Sequence, residues 1–343
     1  MTEFLMEYGL FLAKVITLVI AVGLVIAMVL ASTRRERMPE KLNVKHLNKQ
    51  YDDMTQALRK ETLPKKIFKL AAKADKAHKK GLKKKTDTSH TAPKRVFVVN
   101  FHGDLKATAI SSLRQELTAV LGVATPNDEV VVRLENAGGL VHEHGLGASQ
   151  LLRVKKQKIP LTVAVDKVAA SGGYMMACVA DRIIAAPFAV VGSIGVLAQI
   201  PNFNRLLDNH GVDFEQFKAG DFKRTMTVFG KNTDEGRAKF KEELEDVHLL
   251  FKEFVANHRP TVNIQHVATG EHWYGTRALA LSLVDELMTS DEYLLAASKR
   301  AELYEVTFTP RKTLTERIFS MTQRALTRFS DRGWHYLDQK RFP

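Results

Sequence analysis

The chain has 343 residues, 45% hydrophobic and 26% charged, enough apolar material for one large domain or two ordinary ones, which excludes disorder of the whole. Its single cysteine, Cys178, excludes an intrachain disulfide and a cysteine-rich zinc site. The net charge of +13 suggests nucleic acid, yet residues 34–95 hold 20 Lys+Arg against 7 Asp+Glu and the remainder is balanced, so a domain reading a nucleic-acid groove is disfavoured.

Gly9 to Ala31 is an apolar run of 23 residues whose one charge is Lys14. As a helix it spans roughly 35 Å and predicts a single transmembrane segment over 9–31. The first eight residues carry Glu3 and Glu7 and no basic residue, unlike a secretory leader, so a retained anchor is expected. Arg34, Arg35 and Arg37 follow directly, which by the positive-inside rule places the body of the chain in the cytoplasm. Residues 32–94 read as a basic, Lys-rich connector, helical or flexible, in which Ile67, Leu70 and Ala74 share a helical face. It is either a solvated spacer or a segment that touches anionic lipid head groups. The polar run 86–93 ends in Pro93 and reads as a linker, so a folded domain is expected over 95–307.

Within that domain, buried strands are predicted at 96–101, 129–136, 161–166 and 182–187, from β-branched runs bounded by Gly, Pro and Asp. Amphipathic helices are predicted at 110–124, 142–157 and 234–257, with a short apolar helix after Ser171. The alternation predicts an α/β fold, a parallel sheet with helices around it, and ligand sites at the carboxyl ends of strands. Beyond 308 the chain is basic. Residues 311–329 read as an amphipathic helix with Leu314, Ile318 and Ala325 in one stripe, packed on protein or lying on a membrane surface.

Three features converge on chemistry. Ser171-Gly172-Gly173 lies between a strand and a helix, where free backbone N–H groups favour negative charge; an N-cap in a tight turn is the plain alternative. Asn136-Ala137-Gly138-Gly139 ends a strand with a glycine pair that lets backbone N–H groups face a ligand. Lys223, beside Phe222 and near Phe229, could act as a base if burial or nearby positive charge lowered its pKa; Lys167 is the nearest rival. His142 and His144 flank Glu143 and read as a surface turn, and Cys178 reads as a small core residue. The zincin, Walker-type and G-x-S-x-G motifs are absent.

Residues 166–196, DKVAASGGYMMACVADRIIAAPFAVVGSIGV, followed by AGDFKRT at 219–225, resemble the signal peptide peptidase A family. The resemblance implies a Clp-protease/crotonase-like fold and a Ser–Lys dyad, with Ser171 as nucleophile and Lys223 as general base. It puts oxyanion donors on the N–H of Gly172 and on the Gly138–Gly139 pair, Gly138 foremost, and makes Ser193 a residue that lines or supports the site. Where the family has Ser-Pro-Gly-Gly, this chain has Asn136-Ala137-Gly138-Gly139. The resemblance further implies no metal or organic cofactor, a bacterial inner-membrane location, and peptide or membrane-protein fragments as substrates. It also implies a homo-oligomeric ring in which Lys223 of one subunit serves Ser171 of the next. Relatives are described as facing the side of the membrane opposite to the one charge predicts. A catalytically idle membrane scaffold and an acyl-CoA enzyme of the same fold are the rival classes.

Overall fold

The computed structural model describes residues 2–34, 41–71, 73–74 and 93–310. The connector from 75 to 92 and the tail helix expected at 311–329 lie outside the described residues. Two compact units are found, one containing residues 1–41 and the other residues 42–308. In the first, α1 (Thr2–Arg34) is a single helix, and its window Met6–Gly23, with a mean hydropathy of 1.7, is long and apolar enough to cross a membrane.

The second unit is a mixed α/β domain on a mostly parallel sheet, as the sequence predicts. Its central strands are β2 (Arg95–Gly103), β3 (Glu129–Asn136), β4 (Leu161–Val165) and β6 (Arg182–Ala185). Short β9 (Glu286–Leu287) closes one end, and β10 (Glu302–Thr309) and β1 (Lys41–His46) the other, giving the order β1-β10-β2-β3-β4-β6-β9. Successive side chains of a strand point to opposite faces. Phe97, Val99 and Phe101 of β2 and Val130, Val132 and Leu134 of β3 join one core, whereas Val96, Val98 and Val131 join another. The first core is closed by α4 (Ile110–Leu121) and α5 (Val141–Lys156), through Leu113, Leu117, Leu151 and Val154. The second is closed by α11 (Ser290–Ala297), through Tyr293, Leu294 and Ala297, and by Leu47. A sheet covered on both faces is why these strands read as unbroken apolar runs.

Asp128, 2% exposed, fixes the start of β3. It accepts from Arg95 Nε and Nη2 (3.0 and 2.7 Å), the Arg95 N–H, and the N–H and hydroxyl of Thr125. Burial alone would raise this carboxyl; the hydrogen bonds from Arg95 and Thr125 outweigh it and hold the pKa at about 2. A depressed carboxylate stabilises the fold fully above its unfolded value near 4, and that contribution is lost as pH falls toward 2. Asp128→Asn is therefore expected to lower the melting temperature at pH 7 and to flatten the acid limb of a Tm-against-pH curve between about pH 4 and 2.

Part of the segment read as a spacer is folded against the domain. After β1 come α2 (Leu47–Thr62) and a helix over 65–71, α3. Leu47 is 5% exposed in the second core. The Asn48 side chain donates to the carbonyls of Ser298 and Ala301 and accepts from the Leu303 N–H at 2.7–3.0 Å. His46 pairs with Glu302 and stacks on Tyr304. Domain-forming sequence thus begins near Leu42, well before Arg95. Asn48→Ala is expected to cost about 1–3 kcal/mol, because it strips hydrogen bonds from three backbone groups at once. A chain starting at residue 93 is expected to melt below one starting at 41.

Candidate active site

Two three-residue strands build the site. β5 (Val168–Ala170) pairs with the last residue of β3, Asn136 opposite Ala169, and with β7 (Val190–Gly192), Ala170 opposite Gly192. β7 pairs in turn with antiparallel β8 (His272–Tyr274). The carboxyl ends of β3, β5 and β7 therefore lie together; Ser171 and Ser193 directly follow β5 and β7, and Gly138 lies two residues after β3. Neither β5 nor β7 has the length to show a periodicity.

Ser171 has φ 52° and ψ −120°, a conformation that residues with a Cβ rarely adopt and that costs of order 1–3 kcal/mol. Two backbone hydrogen bonds hold it: its N–H donates to the Gly192 carbonyl (2.8 Å), and its carbonyl accepts from the Met175 N–H (3.0 Å). Short α6 (Gly172–Ala177) leaves from it, buried throughout. Ser193 has the same φ, and its N–H donates to the Glu271 carbonyl at 2.7 Å. Ser193 is half-buried beside the Gly192 that anchors Ser171.

The glycine pair meets the serine turn at van der Waals distance. A Cβ on Gly138 (φ 90°) would lie 2.7 Å from Ser171 Cβ and 2.8 Å from the Gly172 nitrogen. The Gly138 N–H, favoured from sequence as an oxyanion donor, is committed elsewhere: it donates to Asn136 Oδ1 at 2.9 Å, closing an Asx turn. Gly139, Ser171 and Gly172 line a narrow cavity of about 10 Å³. Its apolar wall is Val141, Met175, Val196, and Val247 and Phe251 of α8 (Asp234–His258). Thr233 caps α8 by accepting from the Gly236 N–H (3.0 Å), with Asp234 and Glu235 in the first turn. A wider cleft of about 520 Å³, with Lys94, Glu129 and Arg182 in its lining, opens at the opposite, amino ends of β3, β4 and β6 and contains no serine.

Lys223 does not line the Ser171 cavity and is exposed. Its loop is built around Asn202, whose side chain donates to the carbonyls of Thr227 and Gly230 (2.9 and 3.0 Å), and around Phe203, Phe214 and Phe229. The loop leaves large apolar side chains exposed: Phe217 is 91% exposed and Phe222 55%, with the Lys239 ammonium over the Phe222 ring at 5.2 Å. Lys167 is an exposed surface residue paired with Glu135 at 3.0 Å. Cys178 is buried and its thiol is pushed up to about 12, chiefly by burial, which leaves it an inert core residue.

His144 departs from the sequence reading. It lies in the first turn of α5 with no exposed surface, and its ring sits where a Cβ on Gly172 would be. Spacing alone suggests a surface turn because the partners of the ring, the Leu140 carbonyl and Asn136 Oδ1, give no sequence signal. Among the described residues, no group of three or more His, Cys, Asp or Glu could hold a metal ion.

Ser171 is thus a strained residue at a strand end, in a cavity lined by Gly139, Gly172 and an apolar wall. Family comparisons give the class of the protein. Residues 3–151 match the model of the peptidase family S49 N-terminal region and residues 153–304 that of peptidase family S49. The chain belongs to peptidase family S49. The Probable protease SohB of Haemophilus influenzae is 44% identical over 326 residues, covering 92% of each chain. The protein of the same name from Buchnera aphidicola subsp. Schlechtendalia chinensis is also 44% identical, over 86% of this chain and 99% of its own. Among solved structures, a mutant of the 1510-N membrane-bound stomatin-specific protease in complex with a substrate peptide aligns at 13% identity. It covers 68% of this chain and 99% of that one with a TM-score of 0.42.

Proposed function

We propose that this peptidase is a membrane-anchored serine endopeptidase with a Ser171–Lys223 dyad, in which Lys223 reaches Ser171 from a neighbouring subunit. The observation that carries the reading is the strained Ser171, held by Gly192 and Met175 in a cavity lined by Gly139 and Gly172. Neutral Lys223 takes the Ser171 proton, and Ser171 Oγ attacks the peptide carbonyl. The N–H groups of Gly172 and Gly139 hold the oxyanion. Gly139 takes the role expected of Gly138, whose N–H is already bound by Asn136. The amine product leaves with a proton from Lys223, and water then hydrolyses the acyl-enzyme. Ser193 supports the Gly192 turn.

The exposed Lys223 outside the cavity supports completion of the site between chains, and the exposed Phe217 and Phe222 on its loop support burial of that loop against a second copy. Such burial would also lower the pKa of the lysine, as a general base requires. The apolar wall favours small or apolar side chains at the cleaved bond. Anchoring through α1 points to substrates near the membrane: released leader peptides or fragments of damaged membrane proteins. The flanking arginines favour a cytoplasmic domain at a bacterial inner membrane.

An idle scaffold would not acylate. Full-length protein in detergent is expected to be labelled once per chain by a fluorophosphonate probe, on the peptide containing Ser171. Labelling absent from folded oligomer would favour the scaffold.

A further inference from the structure

The turn that carries the glycine pair has alanine at 137 and no proline, which leaves its backbone free to rotate. Two buried polar side chains close around it instead. Asn136 is 1% exposed, and its Oδ1 accepts the Gly138 N–H at 2.9 Å. The same Oδ1 lies 3.2 Å from His144 Nε2, and the other ring nitrogen, Nδ1, lies 2.9 Å from the Leu140 carbonyl; both partners are acceptors, so the two contacts are hydrogen bonds together only in a ring with an N–H at each nitrogen. One imidazole therefore ties together the residues on either side of the 137–139 turn. The far end is pinned again by the Leu140 N–H, which donates to the Leu105 carbonyl at 3.0 Å.

Space is made for both side chains at two glycines. A Cβ on Gly103, opposite Asn136 across β2 and β3, would lie 2.4 Å from the Asn136 amide. A Cβ on Gly172 would lie 2.4 Å from His144 Cγ. The imidazole therefore rests directly beneath the residue that follows the nucleophile, while the turn it ties rests against Ser171 Cβ.

We propose that Asn136 and His144 form a buried brace that positions the Gly138–Gly139 peptide against Ser171. They are positioning residues: they hold the turn that presents the Gly139 N–H and touch no reacting atom. The brace stands on hydrogen bonds within the fold, while its kinetic consequence rests on the peptidase reading above.

Hydrogen exchange of the 136–140 segment and peptide turnover, measured on the full-length protein in detergent, separate the two. Asn136→Leu keeps the size of the side chain and removes the acceptor, whereas Asn136→Asp keeps the acceptor for both the Gly138 N–H and His144. His144→Phe removes the ring's hydrogen bonds. Asn136→Leu and His144→Phe are expected to speed exchange in 136–140 at least about tenfold and to lower kcat about 100-fold with KM little changed, as a displaced catalytic turn does. Asn136→Asp is expected to keep slow exchange and most of kcat. If the side chain served only to fill space, leucine would be tolerated and a buried aspartate would not. Slow exchange in Asn136→Leu, or a greater loss for aspartate than for leucine, would overturn the brace. Faster exchange in Asn136→Leu and His144→Phe, beside a wild-type protein with no turnover, would confirm the brace and count against the peptidase reading instead.

Discussion

Ser171→Ala and Lys223→Ala are each expected to lower cleavage of an apolar quenched peptide by about 10⁴-fold or more, with assembly and melting temperature unchanged. The reason differs for the two residues. Alanine at 171 removes the attacking oxygen and also relieves none of the backbone strain, since it too carries a Cβ at φ 52°. Lys223 is exposed in the single chain, so its loss removes no intrachain contact of the core. Fluorophosphonate labelling sharpens the comparison. Ser171→Ala should not label at all, while Lys223→Ala should label slowly at Ser171, because the nucleophile remains and only its base is missing. Lys167→Ala should behave as wild type, since that side chain is held on the surface by Glu135.

Gly138→Ala is expected to be nearly as damaging. The φ of 90° disfavours any L side chain, and the new methyl would meet Ser171 Cβ, the Gly172 nitrogen and the Ala170 carbonyl at 2.7–2.9 Å. Two of those three atoms are backbone, so relief requires the serine turn and the glycine turn to part. A loss of about 10²–10³-fold in kcat is expected, the size of a lost oxyanion donor, with a destabilisation of about 2–4 kcal/mol. Gly145→Ala is the matched control: it lies on α5, and a Cβ there meets nothing within 4 Å. That change should leave turnover intact and raise stability by about 0.5–1 kcal/mol.

The parts of the fold legible in the sequence are those whose residues act as a set. β3 was expected at 129–136 and lies there, because eight consecutive residues sit in a sheet buried on both faces. The end of α8 and the start of α5 fall within one residue of expectation, since capping and periodicity are local signals. The Ser-Gly-Gly turn was legible as a junction between a strand and a helix, and it lies between β5 and α6. The missed features depend on partners distant in the chain. β5 and β7 are three residues each, and only their pairing makes them strands. Asn48 belongs to the domain through backbone groups about 250 residues away. Asn136 gave no sign that it would take the Gly138 N–H. His144 looked solvated because its polar partners are a carbonyl and an amide, which leave no pattern.

The claim that most needs testing is that the site is completed between chains. Ser171→Ala and Lys223→Ala subunits, each inactive alone, can be co-expressed and purified as mixed assemblies. If Lys223 of one subunit serves Ser171 of its neighbour, random mixing gives about one quarter of the sites an intact pair, and turnover should return to about that fraction of wild type. If both residues of a working site come from the same chain, no mixture contains an intact pair. Mixed assemblies as inactive as their parents would contradict the account.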